Sequence, residues 1–172
     1  MRLIALLLAV FPAIVLADKE PESIAIVQIF VTPDCPIANS YAPEIGRLFE
    51  EYTSKKVEFL LVYPEGSLTK EDLEKHSEEY GLEMESIIDH THTFVSNAGA
   101  TTTPEVAIFD ESGALVYRGL IDNLYSDFGD RRRTASEHYV RDVLNAMITG
   151  ESIVFTETKP IGCLIEPLPE KD

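Results

Sequence analysis

Residues 29–48 read IFVTPDCPIANSYAPEIGRL, and no other stretch of the chain constrains its fold as strongly. The apolar run at 24–31 stops at Thr32-Pro33-Asp34, Cys35 follows at once, and Pro36 takes the place of a first helical residue. Proline is tolerated there because that N–H would have no partner inside a helix. Beyond it, Ile45, Leu48, Phe49 and Tyr52 recur at the spacing of an amphipathic helix over 35–52, which Pro43 is expected to kink. Cys35 is therefore set at a helix N-terminus, just past the end of a strand. The unpaired N–H groups and the helix dipole favour an anion at such a place, so a thiol there ionises more readily. Asp34 works against this, because a neighbouring carboxylate disfavours a second negative charge.

The remaining elements follow from period and punctuation. Residues 23–31 and 57–63 are rich in β-branched and apolar side chains, as buried strands are. Thr69-x-x-Asp72 is a capping-box pattern opening a helix that runs to Tyr80, before Gly81. A short strand is expected at 86–89 and a helix at 90–98. Thr103-Pro104 stands immediately before the strand 106–109, a place where an X-Pro bond is able to be cis. A turn at 110–113 then returns the chain as the antiparallel strand 114–118. Residues 119–133 lack a period and are expected to form a surface loop, with the arginines at 131–133 as a solvated charge run. Thr134-x-x-Glu137 predicts a capping box for a helix over 134–149, whose Val140, Val143, Leu144, Met147 and Ile148 form one core-facing stripe. A tail follows in which Cys163 comes after Gly162.

These two stretches resemble the active-site segments of thioredoxin-like proteins. That family has a strand, a Cys-x-x-Cys motif, and a helix whose proline lies eight residues after the first cysteine with an alanine before it. Pro43 and Ala42 stand at that spacing from Cys35, but Ala38 occupies the second cysteine's place, leaving Cys-Pro-Ile-Ala. Thr103-Pro104 resembles the proline that faces the family's active-site cysteine. The longer interval between Cys35 and Pro104, and the Gly-Cys in the tail, are similar to the larger exported redoxin and peroxiredoxin branch. Peroxiredoxins carry a threonine three residues before the reactive cysteine, where Thr32 stands; the proline they have four residues before that threonine is absent, its place being taken by Gln28. The resemblance implies an α/β thioredoxin-like fold, with a central mixed β-sheet flanked by helices.

It also implies chemistry. Cys35 would be the nucleophilic thiolate, Cys163 the resolving thiol, and Pro104 part of the surface on which a substrate docks. In the peroxidase version Thr32 would hydrogen-bond a peroxide, and Cys163 would condense with a sulfenic acid at Cys35. Two other readings remain open. One is a permanent Cys35–Cys163 disulfide, whose long loop would stabilise the fold by up to ~4–5 kcal/mol in the chain-entropy picture. The other is a binding module that has lost its chemistry, as Ala38 suggests.

Residues 1–17 have the pattern of an export signal, with Arg2 followed by an apolar run, Leu3 to Leu16, that is too short for the ~20 residues of a spanning helix. Cleavage after Ala17 would leave one domain over 18–172, periplasmic or extracellular, with no stable membrane insertion. With a formal net charge of −16, nucleic acid is not an expected partner. The expected partners are protein thiols or disulfides, or a peroxide, and a redox partner protein. No cofactor or metal is expected, because the two cysteines form no CxxC pattern and the pair His90 and His92 falls short of a metal site. His76 and His138 are expected to face solvent from helices.

Overall fold

A computed structural model describes residues 23–168. The proposed export signal lies outside them. Strand β1 (Ala25–Phe30) leads into helix α1 (Pro36–Tyr52). Then come β2 (Val57–Tyr63), α2 (Lys70–Tyr80), β3 (Glu85–Ile88) and the short α3 (Thr93–Ala98). Strands β4 (Thr102–Thr103), β5 (Glu105–Asp110) and β6 (Leu115–Gly119) follow. The small pair β7 (Tyr125–Asp127) and β8 (Asp130–Arg131) precedes α4 (Tyr139–Thr149), and β9 (Cys163–Leu164) lies in the tail.

The central sheet has five strands in the order β3-β2-β1-β5-β6. β2 runs parallel to both β1 and β3, while β5 runs antiparallel to β1 and β6, so the sheet is mixed. Alternation along the strands sends one set of side chains to each face. Val27, Ile29, Phe59, Leu61, Val106 and Ile108 pack with Ile45, Leu48 and Tyr52 of α1 and Val140, Val143 and Leu144 of α4 in the larger core. Each such side chain contributes about 1.5–3 kcal/mol when taken fully from water. Phe30, Val62 and Ala107 face the other way, into a smaller cluster with Ala98 and Ala100.

Three expectations are corrected. Helix α4 starts at Tyr139, with His138 in the cap position and no side-chain cap, not at a Thr134–Glu137 box. The Glu137 N–H that the box would have used is taken by Asn123, whose Oδ1 accepts from it at 3.1 Å and from Ser136 N at 2.8 Å. His76 is buried, because α2 lays it against Tyr63 and Asn39. The 119–133 segment is not wholly a surface loop: Ile121, Asp122 and Tyr125 are buried. Tyr41 Oη donates to Asp122 Oδ1 at 2.7 Å, and Tyr125 Oη shares a 2.9 Å hydrogen bond with Ser40 Oγ, which ties this segment to α1. The arginines at 131–133 are exposed.

Candidate active site

The site is built where β1 ends. Val31 N–H still donates to Val62 O at 3.0 Å, and the chain then turns through Thr32-Pro33-Asp34 into α1. Cys35 is the N-cap of that helix in extended conformation, with Pro36 at the first helical position. Its sulfur takes the role a serine or aspartate oxygen usually has at an N-cap, accepting from Ala38 N–H at 3.4 Å. Asp34 is exposed, so water screens its charge.

The facing wall is the Thr103-Pro104 bond, which is cis. Cys35 Sγ lies 3.0 Å from Thr103 O, to which the protonated thiol donates. The tail adds β9 to β4, pairing Cys163 with Thr103 and Leu164 with Thr102, and Ile165 N–H donates to Thr101 O at 2.9 Å. One residue, Thr103, thus touches Cys35 through its carbonyl and pairs with Cys163 through the strand register. The structure brings Cys35, Cys163 and Pro104 together, and both cysteines are free thiols.

Gly162 permits this approach. A Cβ there would stand 2.1 Å from Thr103 O and 2.7 Å from Thr103 C, inside van der Waals contact. A second close passage holds the strap upstream, where a Cβ on Gly119, at φ +139°, would lie 2.4 Å from Thr158 O. Thr158 Oγ1 accepts there from Leu120 N–H at 2.8 Å.

The two thiols are electrostatically unlike. Burial pushes Cys35 up, but hydrogen bonds from the Cys163 side chain, the Ala38 and Cys163 backbone N–H groups and the Thr103 hydroxyl outweigh it, so the Cys35 thiol ionises below its ordinary value. The Thr103 contribution is the smallest of these, since its buried Oγ1 makes no hydrogen bond of ordinary geometry among the described residues. Burial and the adjoining Cys35 push Cys163 up to about 11. Of the two thiols Cys35 is the readier to ionise, and once ionised it accepts a hydrogen bond from the Cys163 thiol.

Two buried polar networks fix the walls. Behind the cysteine loop, Asn39 Nδ2 donates to Pro33 O at 2.7 Å, and Asn39 Oδ1 lies 3.0 Å from His76 Nε2. His76 Nδ1 in turn is 2.7 Å from Tyr63 Oη. A neutral His76 that donates from Nε2 and accepts at Nδ1 satisfies both contacts. Behind the cis-proline loop, the buried Glu105 carboxylate accepts from Thr101 N at 2.7 Å and Thr102 N at 3.1 Å. It also pairs with Arg118 Nε at 3.5 Å, and Arg118 reaches Gly99 O and the tail residue Glu157.

Thr32 lies beside a cleft of 310 Å³ that Pro64, Glu65, Thr103 and Leu164 also line. Its hydroxyl donates to Glu65 Oε2 at 3.3 Å. His90 Nδ1 donates to Gly66 O at 3.1 Å and His92 Nε2 to Pro64 O at 2.8 Å, so both histidines hold the turn after β2. Among the described residues, no group of three or more His, Cys, Asp or Glu side chains is placed to hold a metal ion. Sequence reasoning missed Gly162, Glu105, Asn39 and His76. Only the first two carried a signal, as the residues adjoining Cys163 and Pro104.

The redoxin family model matches residues 14–130. No curated protein matches the chain. Among solved structures, an uncharacterized conserved protein from Geobacillus kaustophilus is 25% identical, with a TM-score of 0.74 over 87% of this chain and 80% of that one. A hypothetical protein from Sinorhizobium meliloti 1021 is 19% identical, with a TM-score of 0.73 over 84% of this chain and 80% of that one. A secreted Mycobacterium tuberculosis disulfide oxidoreductase homologous to E. coli DsbE is 15% identical, with a TM-score of 0.50 over 74% of this chain and 81% of that one. At these identities the last two likenesses concern the fold, which is thioredoxin-like. No helix among the described residues is long and apolar enough to cross a membrane.

Proposed function

Because the chain belongs to the redoxin family, we propose that it is a thiol–disulfide oxidoreductase whose exchanging pair is Cys35 and Cys163. The observation that carries this reading is the shared partner Thr103, 3.0 Å from Cys35 Sγ and opposite Cys163 in the β4–β9 ladder. Ala38 replaces the usual nearby second thiol, and the tail supplies one from a distance instead. Closing the Cys35–Cys163 bond releases two electrons to a substrate disulfide, and opening it takes two from substrate thiols. Pro104 shapes the wall beside the pair.

The peroxidase reading has less support. The Thr32 hydroxyl is engaged by the Glu65 carboxylate, which places a negative charge where a peroxide would have to be polarised. An export signal at residues 1–17, as the sequence pattern implies, would fit this function, since disulfides persist in oxidising compartments. The test is a redox titration of the full chain against glutathione, followed by thiol counting. A Cys35–Cys163 bond that opens and closes while the chain stays folded supports the proposal. A bond that resists reductant until the chain unfolds would make it a structural clip and refute the proposal.

A further inference from the structure

The two sulfurs differ in who is able to reach them. Cys35 is 0% exposed, closed in by α1, the cis-proline loop and the tail strap, whereas Cys163 on that strap is half-buried. At Gly162 the strap rests against Thr103 so closely that a Cβ would stand 2.1 Å from the carbonyl oxygen. Both flanks of the strap are open. The 310 Å³ cleft containing Thr32 and Leu164 lies along one, and a 470 Å³ cleft containing Phe128, Gly162 and Leu164 lies along the other. Leu164, next to Cys163 and lining both, is 76% exposed, and Phe128 is 65% exposed. Of the two cysteines, only Cys163 has surface open to solvent.

We propose that substrate thiols open the Cys35–Cys163 disulfide by attack at Cys163 Sγ, so that Cys163 carries the mixed disulfide with the substrate and Cys35 is the buried leaving group. This rests on the pair being the exchanging pair, and it reverses the division of labour expected from the sequence, in which Cys35 meets the substrate. A substrate thiolate forms a bond to Cys163 Sγ as the Cys163–Cys35 bond breaks, and the electron pair departs on Cys35. The second thiolate of a substrate dithiol then attacks the substrate's own sulfur in the mixed disulfide and expels Cys163, which takes up a proton. The substrate leaves oxidised by two electrons, and the Cys35/Cys163 pair is left reduced.

Leaving-group chemistry points the same way as access. The lower the pKa of the departing thiol, the faster it leaves. Departure of Cys35 is assisted by Ala38 N–H at 3.4 Å and by the Cys163 N–H, which lower its pKa. Attack at Cys35 would instead have to expel Cys163, whose thiolate is disfavoured by burial.

The experiment mixes the oxidised full chain with reduced glutathione, quenches with acid at early times, and maps the adduct by peptide mass spectrometry. The adduct is expected on the Cys163 peptide in at least ten-fold excess over the Cys35 peptide. A majority on Cys35 overturns the proposal while leaving the exchanging pair intact. A disulfide that yields no adduct and no free thiols until the chain unfolds removes the pair itself, and the proposal with it.

Discussion

Gly162→Ala is the sharpest test of how the two thiols are brought together. The added methyl group would sit 2.1 Å from Thr103 O and 2.7 Å from Thr103 C. An ordinary carbon–oxygen contact is about 3.3 Å, so the strap has to retreat by about 1 Å. The retreat pulls at the Thr102–Leu164 and Thr103–Cys163 pairings and at the Ile165 N–H bond to Thr101 O. At about 1 kcal/mol net for each backbone hydrogen bond, their loss costs about 2–3 kcal/mol. A displacement of ~1 Å between reacting groups is also enough to slow an intramolecular step by ~100-fold. The variant is therefore expected to show a lower urea midpoint and slower Cys35–Cys163 closure when oxidised by glutathione disulfide, followed by quenched alkylation and mass spectrometry. Closure at the wild-type rate with an unchanged midpoint would refute the argument that close packing of Gly162 on Thr103 pairs the thiols.

Other perturbations address the walls of the site. Glu105→Gln removes the charge that accepts from Thr101 and Thr102 and faces Arg118; breaking such a buried arrangement costs about 3–5 kcal/mol at most, and some of that is recovered because Arg118 keeps Gly99 O and Glu157. A urea midpoint equal to wild type would show that the carboxylate does not brace the cis-proline loop. Burial lowers the pKa of His76, so below about 6.5 the unfolded chain binds a proton that the folded chain refuses, and stability falls as pH drops towards the lowered folded value. His76→Gln should flatten the stability profile over that window; an unchanged profile would assign the acid loss to other groups. Asn123→Ala frees the N–H groups of Ser136 and Glu137 and should raise amide exchange at 134–138 while α4 keeps its protection. Exchange that stays slow there would mean Asn123 is not what holds the segment.

Much of the architecture was legible from local pattern. β2 was expected at 57–63 and is Val57–Tyr63, and the Thr69–Asp72 capping box opens α2. Pro36 and Pro43 lie in α1 where the spacing put them, and the Thr103-Pro104 bond is cis. Each of these depends on residues a few positions apart, which is the range over which backbone sterics and hydrogen-bond periodicity act. The failures share the opposite property. The Thr134–Glu137 box lost its Glu137 N–H to Asn123, and His76 was drawn inward by Tyr63 and Asn39. In the 119–133 segment, Asp122 and Tyr125 found partners on α1 that no local period announces.

The same division runs through the site. By itself the sequence determined that a cysteine would stand at a helix N-terminus after a strand, and that it would lack a second thiol nearby. Those are matters of order and spacing along the chain. Only the tertiary structure decided that Cys163 is that cysteine's neighbour, that Gly162 makes the approach possible, and that Cys35 is the enclosed sulfur and Cys163 the reachable one. Contacts between residues so far apart are set by how the sheet, the cis-proline loop and the tail pack in space. Exposure and thiol acidity are properties of that packing rather than of any short run of residues.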